Sequence, residues 1–232
     1  LEAFGHGQVG GPGVGDLGDR GPDSAAVFRL VMRAVEEGTG LAVPGNHCDK
    51  TQRALFPRSG HTPQLKHGLD VTLEQIRAQG EIFARRVSRF LLALPHHLVL
   101  DGGTLVVAHA GLRAEMHNRT SGAARAFALF GDVDGAVDDD GFPLRKDWVK
   151  DYLGKAAVVH GHTPVLDATW NNNVICIDTG CVFGGRLTAL RWPERDTVSV
   201  PASAVYCEPP RPLAPALRIA NDGLPDITPL IS

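Results

Sequence analysis

Four times along this chain a polar motif bracketed by glycine follows a short apolar run: "GDLGDRG", "GNH", "HAG" and "GHTP", with "IDTG" after them. This repetition constrains the fold more than any other feature. The lead-in to "GDLGDRG" is weakly apolar, but "LAVPGNHC", "GGTLVVAHAG" and "KAAVVHGHTP" read as buried strands running into polar turns. Helical stretches fall between them, and strands alternating with helices predict an α/β fold. In such folds ligands gather at the carboxyl ends of the strands, so the dispersed motifs are expected to meet in one place.

Any single histidine after a strand is as readily a structural group as a ligand. As an ordered set, the motifs are hard to explain as structure alone. Asp16, Asn46, His109 and His162 offer a carboxylate, an amide oxygen and two imidazoles. That mixed donor set suits Mn²⁺, Fe or Zn²⁺ better than Ca²⁺, which prefers oxygen alone. His47, beside Asn46, is placed to donate a proton, and Asp19 to hydrogen-bond it and favour its charged form. Arg20 supplies a planar fork that matches a pair of phosphate oxygens.

Between the motifs, "SAAVFRLVMRAVEEGTG" reads as an amphipathic helix capped by Asp23 or Ser24 and stopped at Gly38 or Gly40. "VTLEQIRAQGEIFARRVSRFLLALP" reads as a long helical stretch with Gly80 as a break and Pro95 as terminator, and His96 and His97 as a surface turn. "NNVICIDTGCVFGGRLTALRW" predicts a strand, a turn and another strand, and "TVSVPA" a strand closing the sheet. Residues 131–141 read as a solvated acidic hairpin rather than a calcium loop, since EF-hand spacing is absent. "RKDWVKDY" either stacks a base near the site or, more simply, packs its aromatics inward on a helix.

The net charge of −3 argues against a surface built to grip nucleic-acid backbone. Four cysteines without CxxC spacing read as reduced thiols of a cytoplasmic protein. No apolar run approaches the roughly 20 residues of a membrane span. Neither a P-loop nor a dinucleotide-binding fingerprint is present.

"GDLGDRGPDS", "VPGNH", "LVVAHAGL", "VVHGHTPV" and "ICIDTGCVFGGRLTALR" together resemble the calcineurin-like metallophosphoesterase superfamily, in its phosphoprotein-phosphatase and dinucleoside-tetraphosphatase branch. They are most similar to the phosphatase domain of bacterial polynucleotide kinase-phosphatase, from about Gly13 to about Tyr206. "VYCEPPRPLAP" resembles the linker to that enzyme's ligase domain. The resemblance implies a sandwich of two mixed β-sheets flanked by helices, with its first strand-helix unit missing. It divides the chain into a remnant or rearranged N-terminus at 1–12, a metallophosphoesterase domain at 13–206 and a proline-rich linker or tail at 207–232.

It further implies a manganese-dependent two-metal site, with Ni, Fe or Zn as substitutes. Asp16 would bridge the metals, and Asn46, His109 and His162 would complete the second metal's shell. Arg20 and Asn46 would contact phosphate, His47 steered by Asp19 would protonate the leaving group, and Asp178 would assist. His160 would be a wall residue, because the family's ligand follows Gly161. The implied activity is hydrolysis of phosphomonoesters or 2′,3′-cyclic phosphates by metal-activated hydroxide. RNA ends or nucleotides would be the substrates, and kinase and ligase domains the neighbours in a multidomain parent.

The alternatives are a dinucleoside polyphosphate hydrolase, a serine/threonine protein phosphatase, or an inactive domain binding one metal. The last is motivated by the family's first motif, a strand running into GDxHG. Here "AFGHG" keeps His6 and Gly7 but has Phe4 in place of the aspartate, so a truncated or rearranged N-terminus is expected.

Overall fold

The structure is a computed structural model that describes residues 12–60 and 62–213. The expectations for Phe4, His6 and Gly7 and for residues 214–232 lie outside the described residues. Strand β1 (Pro12–Gly13) delivers the first motif, and helix α1 (Ser24–Glu36) follows. Asp23 caps α1 by accepting the amide of Ala26 at 2.8 Å. The helix buries Ala25, Phe28, Val31 and Met32, a spacing that lies on one helical face. Strand β2 (Leu41–Ala42) returns parallel to β1.

Beyond β2, the expected polar turn at "GNHC" is instead the start of helix α2 (Asn46–Leu55), with Gly45 in extended conformation at its N-cap. The long helical stretch is two helices, α3 (Leu69–Ala78) and α4 (Glu81–Ala93), separated at Gly80, whose φ of +91° is open to glycine at no steric cost. Helices α1 to α4 share one apolar cluster that includes Phe28, Ile76, Val87 and Leu91.

Strand β3 (His97–Leu100) runs antiparallel to β4 (Leu105–Ala108). His97 therefore opens a strand rather than lying in a surface turn: once Pro95 has ended α4, "HLVL" pairs with "LVVA". Helix α5 (Gly122–Phe130) leads into the hairpin β5 (Val133–Val137) and β6 (Pro143–Arg145). Strand β7 (Ala157–His160) lies parallel to β4, and β8 (Trp170–Asn171) and β9 (Val174–Cys176) complete a mixed five-stranded sheet in the order β3-β4-β7-β9-β8. Strands β10 (Asp178–Thr179), β11 (Arg186–Arg191) and β12 (Asp196–Pro201) form a separate antiparallel sheet. "TVSVPA" thus closes this smaller sheet, not the central one.

Side chains of the central strands alternate between two apolar layers, as the two-residue period of a strand requires. Val106, Ala108, Val158 and Val174 face Leu112, Phe127, Trp148 and Tyr152. Leu105, Val107, Val159, Ile175 and Ile177 face Val14, Val43, Leu190 and Trp192. This second layer joins the central sheet to β1–β2 and to the smaller sheet, giving the α/β sandwich. Trp148 and Tyr152 are buried, so "RKDWVKDY" packs its aromatics inward on a short 3-10 turn (Trp148–Asp151). Among the described residues no helix is long and apolar enough to cross a membrane.

Candidate metal centre and active site

The loops after β1, β2, β4 and β7 meet at one edge of the sandwich. Asp16 is held there by backbone that tolerates no side chain beside it. A Cβ on Gly45 would lie 2.0 Å from Asp16 Oδ1, and one on Gly15 would lie 2.8 Å from His109 Nδ1. Asp16 itself has a φ of +46°, and its Oδ1 accepts the amide of His47 at 3.0 Å from the first turn of α2. Burial alone would raise the Asp16 carboxyl, but His109, His47 and His162 outweigh it and hold the group below the ordinary carboxylate value.

His109 is buried, and its Nδ1 donates to the carbonyl of Val14 at 2.8 Å. That bond leaves the lone pair of Nε2 facing the cluster, the orientation a ligating histidine needs. Asn46 Oδ1 lies 3.1 Å and Asp16 Oδ2 3.4 Å from His109 Nε2. Three acceptor atoms thus converge, and His162 adds Nδ1 at 2.9 Å from the same nitrogen. Asp16, His109 and His162 each offer a donor atom, all within 4.8 Å of one another. Carboxylate, amide oxygen and imidazole converging in this way fit a divalent transition-metal ion. Burial, and then His109, depress the basicity of His162 well below the usual histidine value, which keeps it neutral and able to ligate.

The remaining expected residues surround this cluster. His47 is buried, and its Nδ1 lies 2.5 Å from Asp19 Oδ2. Asp19 is fixed in turn by its amide, which donates to Thr72 Oγ1 at 2.9 Å and to Ser24 Oγ at 3.2 Å. Its other oxygen, Oδ1, is buried with no hydrogen-bond partner among the described residues. Arg20, on the same loop, places its guanidinium 5.7 Å from the ring centroid of Phe183. Asp178 does not join the donor cluster, but lies within electrostatic reach of Asp16, His109 and Arg20. Burial raises its carboxyl; the Gly180 amide that it accepts at 3.1 Å opposes the rise, and the Asp16 charge adds to it.

His160 stays out of the cluster. Its ring packs 5.8 Å from Trp148, and burial pushes its pKa down to about 4. Sequence reasoning missed Arg145, whose Nη2 lies 3.0 Å from His162 Nε2. It ends β6 and opens the run "RKDWVKDY", read only for its aromatics, and its place is fixed by the strand pairing of Val133 with Arg145. Cys48 was also missed as a neighbour of the site. It lies within α2, its sulfur accepts the Leu17 amide at 3.4 Å, and burial with the nearby Asp16 charge pushes its thiol up to about 12.

No family model matches the chain. It is 44% identical over 197 residues to the bis(5′-nucleosyl)-tetraphosphatase PrpE [asymmetrical] of Anoxybacillus flavithermus, covering 83% of this chain and 79% of that protein. The protein of the same name from Bacillus subtilis is 45% identical over 198 residues, with coverage of 84% and 80%. A candidate diadenosine tetraphosphatase of known crystal structure aligns with a TM-score of 0.58 at 26% identity, over 82% of this chain and 79% of that one.

Proposed function

The chain belongs to the bis(5′-nucleosyl)-tetraphosphatase PrpE family of metallophosphoesterases, and on that footing we propose that it cleaves one phosphoanhydride bond of dinucleoside tetraphosphates asymmetrically. The products would be a nucleoside triphosphate and a nucleoside monophosphate. The observation that carries this reading is the 44% identity that spans 83% of this chain and 79% of its relative. These relatives give no support to the reading of RNA ends with kinase and ligase neighbours. They favour the dinucleoside polyphosphate alternative instead.

In the mechanism we propose, Asp16, Asn46, His109 and His162 hold a divalent cation, with Mn²⁺ the first to test. The cation would supply a water activated for attack and would neutralise charge on the phosphate. The residues of the chain supply the rest. With Nδ1 of His162 engaged, its proton resides on Nε2, which then no longer accepts from Arg145. Arg145 is free to turn to the phosphate chain and joins Arg20, so that two guanidinium forks flank the reacting group. Asp19 accepts a hydrogen bond from His47 Nδ1–H, and with a second proton on Nε2 the ring passes that proton to the departing oxygen. Asp19 is the group that fixes this ring orientation. Asp178, held up by burial beside Asp16, lines the same site as a hydrogen-bonding carboxyl.

The test is product analysis. With Mn²⁺, diadenosine tetraphosphate should give ATP and AMP in equal amounts, faster than the chain opens 2′,3′-cyclic AMP or dephosphorylates a phosphopeptide. Formation of ADP alone, or a preference for the cyclic phosphate, would rule the proposal out.

A further inference from the structure

Residues 205–213 recross the molecule after β12. The amides of Tyr206 and Cys207 both donate to the carbonyl of Val182 at 3.1 Å, in the 3-10 turn Cys181–Phe183. Val205 packs so closely on Gly184 that a Cβ there would lie 2.7 Å from it, and Leu213 lies 2.8 Å from the equivalent position on Gly180. Between these anchors Arg211 reaches the tip of the β5–β6 hairpin. Its guanidinium bonds Asp138 at 2.7 Å and Asp140 at 2.8 Å, and stacks 4.2 Å from the centroid of Phe142.

The anchors of this segment and its Arg211 contact meet two walls of the proposed catalytic site. The 3-10 turn carries Phe183 beneath Arg20, and the Gly180 amide binds Asp178. The hairpin carries Arg145 against His162. Side chains along β5 and β6 are exposed almost throughout, so little apolar packing holds the hairpin against the domain. Its tip is internally ordered, because Asp138 Oδ1 accepts the amides of Asp140 and Phe142 at 3.1 and 3.0 Å. A rigid tip on weakly packed strands goes where its outer contacts hold it.

We propose that residues 205–213 form a strap, buckled by Arg211 onto the hairpin tip, that fences the cleft between the 3-10 turn and the hairpin and fixes Arg145 for long phosphate chains. The strap admits extended, flexible substrates of the nucleoside polyphosphate class and excludes folded phosphoproteins. Arg211 is a positioning residue acting through the hairpin. Its planar fork spans two carboxylates and stacks on a ring at once, which a lysine does not reproduce. The ion pairs are exposed and therefore individually weak and screened by salt, so the buckle opens readily. The substrate part of this inference rests on the reading above.

The test compares the full chain with Arg211→Ala, with Arg211→Lys and with Asp138→Asn/Asp140→Asn, in which the asparagine oxygen still closes the tip turn. Hydrogen exchange of amides 133–145 reports the strap without any substrate or metal. Arg211→Ala should speed it by about fivefold, the scale of one lost exposed contact set. The KM for diadenosine tetraphosphate should rise by a similar factor with kcat little changed, while p-nitrophenyl phosphate turnover stays the same. Arg211→Lys should restore part of each effect, and combining Arg211→Ala with the asparagine pair should add nothing further. Unchanged exchange overturns the strap, and so does an equal loss on both substrates. Faster exchange in a chain that never cleaves diadenosine tetraphosphate sustains the strap while refuting the substrate reading.

Discussion

Asp16 is held by backbone as much as by side chains. Because a Cβ at Gly45 would lie 2.0 Å from its carboxylate, Gly45→Ala should displace Asp16 and abolish Mn²⁺ binding while the far-ultraviolet circular dichroism spectrum remains intact. Asp19→Asn should act differently. It removes the charge that orients His47, so kcat should fall by about 100- to 10,000-fold with little change in KM, in steady-state assays on diadenosine tetraphosphate. The motifs revealed most of these side chains because each stands within two residues of a glycine in a short run. Arg145 has no such marker. It reaches His162 only through the register of a hairpin whose partner strand begins ten or so residues earlier, a pairing that local pattern does not encode.

Helices were legible where an apolar stripe, a cap and a glycine coincide, as in α1. Phe28 is fully buried there within the four-helix cluster, and Phe28→Ala should cost about 3–5 kcal/mol in denaturant unfolding. The start of α2 was misread for a physical reason. Its N-cap is a glycine without a side-chain oxygen, and its first two residues face the site rather than the core layer. The same placement gives α2 its role, since the His47 amide in its first turn points at Asp16, where the positive end of the helix favours negative charge. Sheet membership was the other limit. β12 reads as a strand from its alternation, but nothing in six residues says that its partner is β11 in a separate sheet.

At the scale of the whole molecule, stability should fall on mild acidification. His96, His97 and His117 lie where α4 ends and β3 begins, and burial is the first cause that lowers the pKa of each below 6.5. His96 also faces Arg125, itself paired with Asp49, and His97 faces His117. His96 Nδ1 and His117 Nε2 are buried with no hydrogen-bond partner among the described residues. As pH drops through 6.5 these histidines gain protons in the unfolded chain before the folded one, so the unfolded state binds more protons and unfolding becomes easier. Urea melts at pH 7.5 and pH 5.5 should show a lower midpoint in acid, and His97→Gln/His117→Gln should narrow the gap.

The sandwich brings together loops separated by as much as the distance from Asp16 to His162 in sequence, and they converge on a donor set that suits a cation. Isothermal titration of Mn²⁺ into the chain and its His162→Ala variant tests that fit without depending on any substrate. A saturable site is expected in the parent, and the variant should lose it or bind at least about tenfold more weakly, the scale of one lost ligand or of its orienting contacts. Equal Mn²⁺ binding by both proteins would contradict it.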